Sequence, residues 1–415
     1  MVNFIELIFY IYLFVALYMT SLLVFIWHPN RNRLFTYPSG TAVPVSIVMP
    51  CYNESATIGD ALESLLRLNY PSGMLEIIVI DDKSKDNSVQ IVQKYVDKYP
   101  GKIKLIVNTR NSGGAAEPTN IGVKAAKYDI IAVTDADSMP EPDALMKMIG
   151  FLQHDSRVAA VTCAVMAHGS RTFMQKLQMI EYSIISWSRK LLDCVDAVYV
   201  TPGPFALYKK SVLMHVGLFD TKNLTQDIEI VWRLRSYGYI ARMCLAARVY
   251  SVTPEKFKQW WKQRIRWNIG GTQCIAKYKS FIFKNGMLGG FIIPFFSFSL
   301  FLGLFGLGLV IYLFTKRVII KFLATKYSIY GGTTLLRFQD FTIHPTVLNF
   351  FGIVLFIWGF IFVLIGLGIM KMRGRKETNI LNIFFYLLVY LSIYPFIMIT
   401  ALYKYFRKTY SWGHV

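Results

Sequence analysis

Two acidic pairs are the residues in this chain best suited to chemistry. Asp81-Asp82 follows the apolar run Glu76-Ile77-Ile78-Val79-Ile80, and Asp135-Ala136-Asp137 follows Asp129-Ile130-Ile131-Ala132-Val133-Thr134. Carboxylates brought together repel unless a cation or hydrogen-bond donors offset them. The spacing of Asp135 and Asp137 suits Mg2+ or Mn2+ held by one or two carboxylates, with substrate phosphates completing the shell. The competing use of Asp137 is to cap a helix starting near Glu141. A further stretch, Pro254 to Gly271, is basic and aromatic. On a helix, Phe257, Trp261 and Ile265 share one face, while Trp260, Gln263, Arg266 and Trp267 cover the other. Basic residues and tryptophans on such a helix suit a membrane interface. The histidines form no metal-like cluster, and the five cysteines lack a C-x-x-C pair, which points to neither a zinc site nor a disulfide scaffold.

The acidic pairs need elements that aim them at one place. Val45 to Met49 and residues 76–80, 103–107 and 129–134 read as short strands. Helical spacing runs over 54–68, 86–98 and 117–127, and a later helix over 226–237. Such alternation predicts a parallel sheet covered by helices. Ligands of such sheets bind beyond the carboxyl ends of the strands, where both acidic pairs fall.

This domain, expected over 41–254, sits among membrane segments. The composition is 54% hydrophobic and only 17% charged, with a net charge of +20. That balance excludes a disordered chain and argues against a nucleic-acid partner. Residues 4–27 carry one charge, Glu6, and are long enough to span a bilayer. Arg31 and Arg33 follow, which orients this end and the domain toward the cytosol. Amphipathic helices are expected over 255–284, and spans over 286–314, 345–370 and 378–403. The basic loop 371–376 then lies inside, as its charge favours, but Lys316, Arg317, Lys321, Lys326 and Arg337 would lie outside. The segment 317–336 is alternatively interfacial or re-entrant.

The segment from Val45 resembles the family 2 glycosyltransferases. The resemblance is carried in order by Pro50-Cys51-Tyr52-Asn53-Glu54, Val79 to Ser84, Asp135-Ala136-Asp137, Thr201-Pro202-Gly203-Pro204-Phe205, Thr225-Gln226-Asp227 and Gln263-Arg264-Ile265-Arg266-Trp267. The last motif, Q-x-x-R-W, marks the processive membrane subgroup of cellulose, hyaluronan, chitin and poly-N-acetylglucosamine synthases, and Pro254 to Gly271 is most similar to the poly-N-acetylglucosamine type. The resemblance implies an α/β fold of the nucleotide-sugar-binding glycosyltransferase type A, a mostly parallel Rossmann-like sheet, joined to transmembrane helices. It implies an inverting, metal-dependent β-glycosyltransferase at the plasma membrane, its catalytic domain cytosolic, extending a polysaccharide from a UDP-sugar and passing it outward. Tyr52, Glu54, Asp82, Asp135 and Arg266 would bind the donor nucleotide. Asp137, with Asp135, would hold Mg2+ or Mn2+. Asp227 would be the base, and Gln263, Trp267 and Gly203 would meet the acceptor. Membrane lipids are implied partners, with a homo-oligomer or accessory subunit as a further possibility.

Two positions depart from the family pattern. Gln226 stands where a Glu is usual, and Gly114 where a Lys is frequent. Gly113 and Gly114 could still offer backbone N–H groups to phosphate. The alternatives are transfer of a single sugar to a polyprenyl phosphate or other lipid, and a non-catalytic subunit.

Overall fold

The computed structural model describes residues 4–71, 73–332, 347–372 and 378–410; Arg337 and the basic run 373–376 lie outside them. Helix α1 (Phe4–Asn30) leads into an alternation of β1 (Val45–Cys51), α2 (Ile58–Leu66), β2 (Leu75–Asp81), α3 (Ser88–Lys98), β3 (Ile103–Val107), α4 (Ala116–Ala125) and β4 (Ile130–Val133). β1 and β2 are aliphatic runs buried on both faces, as central parallel strands require. The strands expected from sequence all form, with only their ends shifted.

The chain continues through β5 (Ser138–Pro140), α5 (Ala144–His154), β6 (Val158–His168), α6 (Phe173–Asp193), β7 (Ala206–Lys209), α7 (Lys210–His215), α8 (Gln226–Ser236) and β8 (Ile240–Val252). The sheet order is β3-β2-β1-β4-β7-β6-β8-β5. β3, β2, β1 and β4 run parallel, while β7 is antiparallel to both β4 and β6. The sheet is therefore mixed, with its parallel half ending at β4. Chain order reverses around β1, which lies between β2 and β4, and opens a crevice at their carboxyl ends. α5 starts with Asp143 at its cap position, so Asp137 is free of that duty.

Beyond the sheet lies α9 (Phe257–Tyr278). A π-helical turn, Leu288–Ile292, then feeds α10 (Ile293–Tyr330), which is followed by α11 (Val347–Ile369) and α12 (Ile380–Phe385). A second π-helical turn, Tyr386–Tyr390, and a 3-10 turn, Leu391–Ile393, join α12 to α13 (Tyr394–Arg407). Among the described residues, four segments are long and apolar enough to cross a membrane: Leu7–Asn30, Leu288–Tyr330, Gly352–Ile369 and Ile380–Arg407. The span expected over 286–314 continues unbroken to Tyr330. At 1.5 Å per residue α10 is about 57 Å long, well beyond a hydrocarbon core of about 30 Å. Lys316, Arg317, Lys321 and Lys326 are exposed on its distal part, and 317–330 is continuous helix rather than a re-entrant loop.

The linker from α1 is fastened across α5. Thr41 N donates to Gln153 Oε1 (3.0 Å), Gln153 Nε2 donates to Thr41 O (2.8 Å), and His154 Nε2 donates to Ser39 O (2.7 Å). Gly150 permits this approach, since a Cβ there would lie 2.2 Å from the Pro38 carbonyl oxygen. Gly150→Ala is expected to push the linker off α5 at a cost of about 1–3 kcal/mol. A lowered thermal midpoint of the detergent-purified protein is the expected readout, and an unchanged midpoint would contradict this packing.

Candidate active site

The crevice is lined from the ends of β1, β2 and β4 and closed by α8 and α9. The loops after β1 and β2 brace each other. Asn53 N donates to Ser84 Oγ (2.9 Å), Glu54 N to Ser88 Oγ (2.9 Å) and Ser55 N to Asp86 Oδ2 (2.9 Å). Tyr52, next to this brace, is exposed. Asp82 is buried and held by the loop after β3: its Oδ1 accepts from Asn108 Nδ2 (2.8 Å), and its Oδ2 from Ser112 N (2.8 Å) and Ser112 Oγ (2.7 Å). A carboxylate offers about four acceptor positions, so Asp82 keeps one for a ligand. Asp81 instead serves its own loop, accepting from Ser84 N (3.0 Å). The Gly113 N–H donates to Asn111 Oδ1 (2.8 Å), which removes it as a phosphate donor.

The structure brings together Glu54, Asp135, Asp137, Asp227 and Arg266, all half-buried. Burial, then the charges of Asp137 and Asp227, push the Asp135 carboxyl up to about 8, with Arg266 pulling back. Burial pushes Glu54 up to about 7, opposed by a hydrogen bond from Thr57 Oγ1 (2.9 Å) and helped by the charges of Asp137 and Asp86. Burial also raises Asp137, against hydrogen bonds from Ser138 Oγ (2.8 Å) and Ser251 Oγ (3.4 Å). Asp227, in the first turn of α8, is raised by burial and eased by backbone N–H groups, Arg266 and Arg189. Burial lowers Arg266 against the opposing pull of Asp135, Asp227, Tyr182 and Asp137. Gly203 lies against Asp135, where a Cβ would come within 2.8 Å of both carboxylate oxygens, so a side chain at Gly203 would displace that carboxylate.

Gln263 and Trp267 stand on α9 beside Arg266, and both touch Arg264. Gln263 Oε1 accepts from Arg264 Nη1 (2.6 Å), and the Arg264 guanidinium carbon lies 4.0 Å from the centre of the Trp267 ring. One face of that indole is therefore already covered. The facial reading of α9 needs correction as well. Trp260 and Ile265 are buried, and Trp260 Nε1 donates to Tyr390 Oη (2.5 Å), because α13 packs along α9; Phe257 remains exposed.

The motifs did not point to Arg189 or Glu181, both on α6. Arg189 is buried, acts electrostatically on Asp227, and has no hydrogen-bond partner for Nε or Nη1 among the described residues. Gln226 Oε1 is likewise buried without a partner among them. The available signal for Glu181 was a lone acid among Ile180, Tyr182, Ile184 and Ile185.

Among the described residues no three His, Cys, Asp or Glu side chains form a ready-made metal cage. Asp135 and Asp137, both held above the usual carboxylate range, fit a hard divalent ion that takes its remaining ligands from a diphosphate.

The profile of the family described as glycosyltransferase like family 2 matches residues 43–270. The chain belongs to glycosyltransferase family 2. Within the family, the poly-beta-1,6-N-acetyl-D-glucosamine synthase of Staphylococcus aureus (strain COL) is 34% identical over 234 residues, 56% of this chain and 56% of that protein. The synthase of the same name from Staphylococcus epidermidis is 34% identical over 250 residues, 60% of this chain and 59% of that protein. The chain thus matches little more than half the length of these curated relatives. A mannosyltransferase from Pyrobaculum calidifontis, solved with GDP-Man and Mn2+, shares the fold: TM-score 0.58, 17% identity, covering 97% of this chain and 100% of that one.

The raised carboxylates set a pH dependence. Glu54 and Asp135 keep their protons in the folded state after the unfolded chain has released them, so metal-free stability falls as pH rises from about 4 through about 8. Carboxylates held low, Asp86 and Asp220, complete their contribution below this window. The thermal midpoint without divalent ion is expected to drop between pH 6 and 8, less so in Asp135→Asn. Mn2+ with UDP should raise it more at pH 8 than at pH 6. A midpoint flat across this range in both proteins would contradict the crowding.

Proposed function

We propose that the protein is an inverting, processive β-glycosyltransferase that polymerises N-acetylglucosamine from its UDP derivative. The observation that carries this reading is the convergence of Asp135, Asp137 and Asp227 on Arg266 in the β1–β4 crevice, under a helix bearing Q-x-x-R-W. The names of the Staphylococcus relatives supply the sugar.

In this reading Tyr52 and Asp82 meet the uracil, and Glu54 lines the donor site. The acceptor hydroxyl oxygen attacks the anomeric carbon of the donor sugar as the bond to the phosphate oxygen breaks. Its proton passes to Asp227, and UDP leaves with the bonding electron pair, so configuration inverts. A carboxylate raised by burial is suited to take that proton at neutral pH. Arg266 offsets charge on the departing diphosphate. A divalent ion held by Asp135 and Asp137 would supply Lewis-acid stabilisation of the same leaving group. The Gly203 backbone and the open face of Trp267 border the acceptor, and Gln263 offers its amide. Gln226 replaces an acid beside the base with a neutral amide, which leaves Asp227 the proton acceptor.

The four apolar helices would anchor the enzyme in the plasma membrane with the domain on the cytosolic side of α1, where Arg31 and Arg33 lie. Product analysis separates this function from its alternative. Purified protein with UDP-N-acetylglucosamine and Mn2+ is expected to yield long polymer; a single-sugar lipid as sole product would replace polymerisation, and no UDP release with any UDP-sugar would remove both. Asp227→Asn is expected to lower transfer by about 10²–10⁴-fold while UDP affinity stays within about twofold. Full turnover in Asp227→Asn would overturn the base assignment.

A further inference from the structure

Arg264 occupies an unspecified position of Q-x-x-R-W, yet it is fully buried and each of its three guanidinium nitrogens donates a hydrogen bond. Nη1 donates to Gln263 Oε1 (2.6 Å), Nε donates to Tyr394 Oη (3.1 Å), and Nη2 donates to Glu181. Its planar face lies on the Trp267 ring, 4.0 Å from the centre. Glu181 is also buried, and it accepts from Tyr390 Oη (2.7 Å) and from Tyr394 Oη. A guanidinium can only donate, so Gln263 must turn its amide oxygen toward Arg264 and its NH2 group away. Trp267, three residues after Arg264, is braced on the same side of the helix.

We propose that Arg264 is a positioning residue for the acceptor sugar: it fixes the Gln263 amide and the Trp267 indole together, while Glu181, Tyr390 and Tyr394 tie this brace to the last membrane-spanning segment. The assignment rests on the polymerase reading above and adds the device that holds its acceptor platform. The ligand class is a β-linked amino-sugar oligosaccharide, whose apolar ring face stacks on the uncovered side of the indole and whose hydroxyl or amide oxygens accept from Gln263. The tie to Tyr390 and Tyr394 makes acceptor registry depend on the membrane helix beside which a growing chain would pass.

The test is steady-state kinetics of the full chain in detergent, with UDP-N-acetylglucosamine, Mn2+ and a β-linked N-acetylglucosamine oligosaccharide as acceptor. Arg264→Lys keeps a charge for Glu181 but loses the planar fork and the stack. It is expected to raise the acceptor KM by about tenfold and shorten the product, while UDP affinity stays within about twofold. Trp267→Ala is expected to do the same, and adding Arg264→Lys to it should raise the acceptor KM by much less than in the wild-type background, only the share that acts through Gln263. Tyr394→Phe, which removes one hydroxyl and keeps the ring, carries the same test if Arg264→Lys is poorly folded; an increase in acceptor KM of about threefold is expected. Independent effects of Arg264→Lys and Trp267→Ala, an unchanged acceptor KM, or a parallel loss of UDP affinity would overturn the assignment. Wild-type protein whose UDP release no oligosaccharide stimulates would instead remove the polymerase reading, and the assignment with it.

Discussion

Glu54, Asp135, Asp137 and Asp227 share one half-buried crevice with the Arg266 guanidinium, and the burial of these four acids together is the constraint around which this domain is built. Separated in water, these acids would ionise independently. Buried together, they hold protons above the usual carboxylate range, chiefly because burial disfavours their charged forms, with neighbouring acids adding to it at Glu54 and Asp135, and this is a demand for positive charge. The fold makes the crowding unavoidable. β1 and β4 are hydrogen-bonded neighbours whose ends deliver Glu54 and the Asp135–Asp137 pair, α8 begins at Asp227, and α9 brings in Arg266. Rigid elements under strain of this kind are pre-organised for a ligand that brings the missing charge, as a metal–diphosphate would.

α9 is fixed in place by two buried glutamates. Glu181 holds its middle through Arg264. Glu229 holds its end by accepting from Lys277 Nζ (2.6 Å) and Tyr278 Oη (2.8 Å), and it pairs with Arg233 on α8. The helix that carries Arg266 is thus locked both to the helix that carries Asp227 and to the apolar segment Ile380–Arg407 that carries Tyr390 and Tyr394. Buried ion pairs add little net stability, since desolvation offsets their attraction, but they specify geometry by making any other arrangement costly. Two of the cations that a basic interfacial helix would turn toward lipid instead face the domain: Arg264 is fully buried and Arg266 half-buried, while Lys277 stays exposed and pairs with Asp220 and Glu229.

The parallel half of the sheet was legible in the sequence because its signals are local. Ser46 apart, Val45 to Met49 is apolar, Ile77 to Ile80 and Ile130 to Val133 are aliphatic, and the acidic pairs that follow the last two had to lie near strand ends. The antiparallel half was not legible: β7 is only Ala206–Lys209, and its pairing with β4 and β6 is set by contacts far away in sequence. Helical periodicity placed Trp260 and Ile265 on definite faces of α9 but did not reveal that both are buried, Trp260 against Tyr390 and Tyr394, because a packing partner leaves no mark in the spacing. Gly113 failed for a simpler reason. Its N–H is consumed by Asn111 two residues earlier, a side-chain preference that composition does not show.

The most direct test is calorimetric titration of UDP into the wild-type protein with and without Mn2+ at neutral pH. If the crowded acids await a cation and a diphosphate together, Mn2+ should tighten UDP binding by at least about tenfold, a difference of roughly 1.4 kcal/mol, and Asp137→Asn should abolish that gain. Equal UDP affinity with and without Mn2+, in a wild-type protein that binds UDP, would contradict a metal–diphosphate role for this crevice.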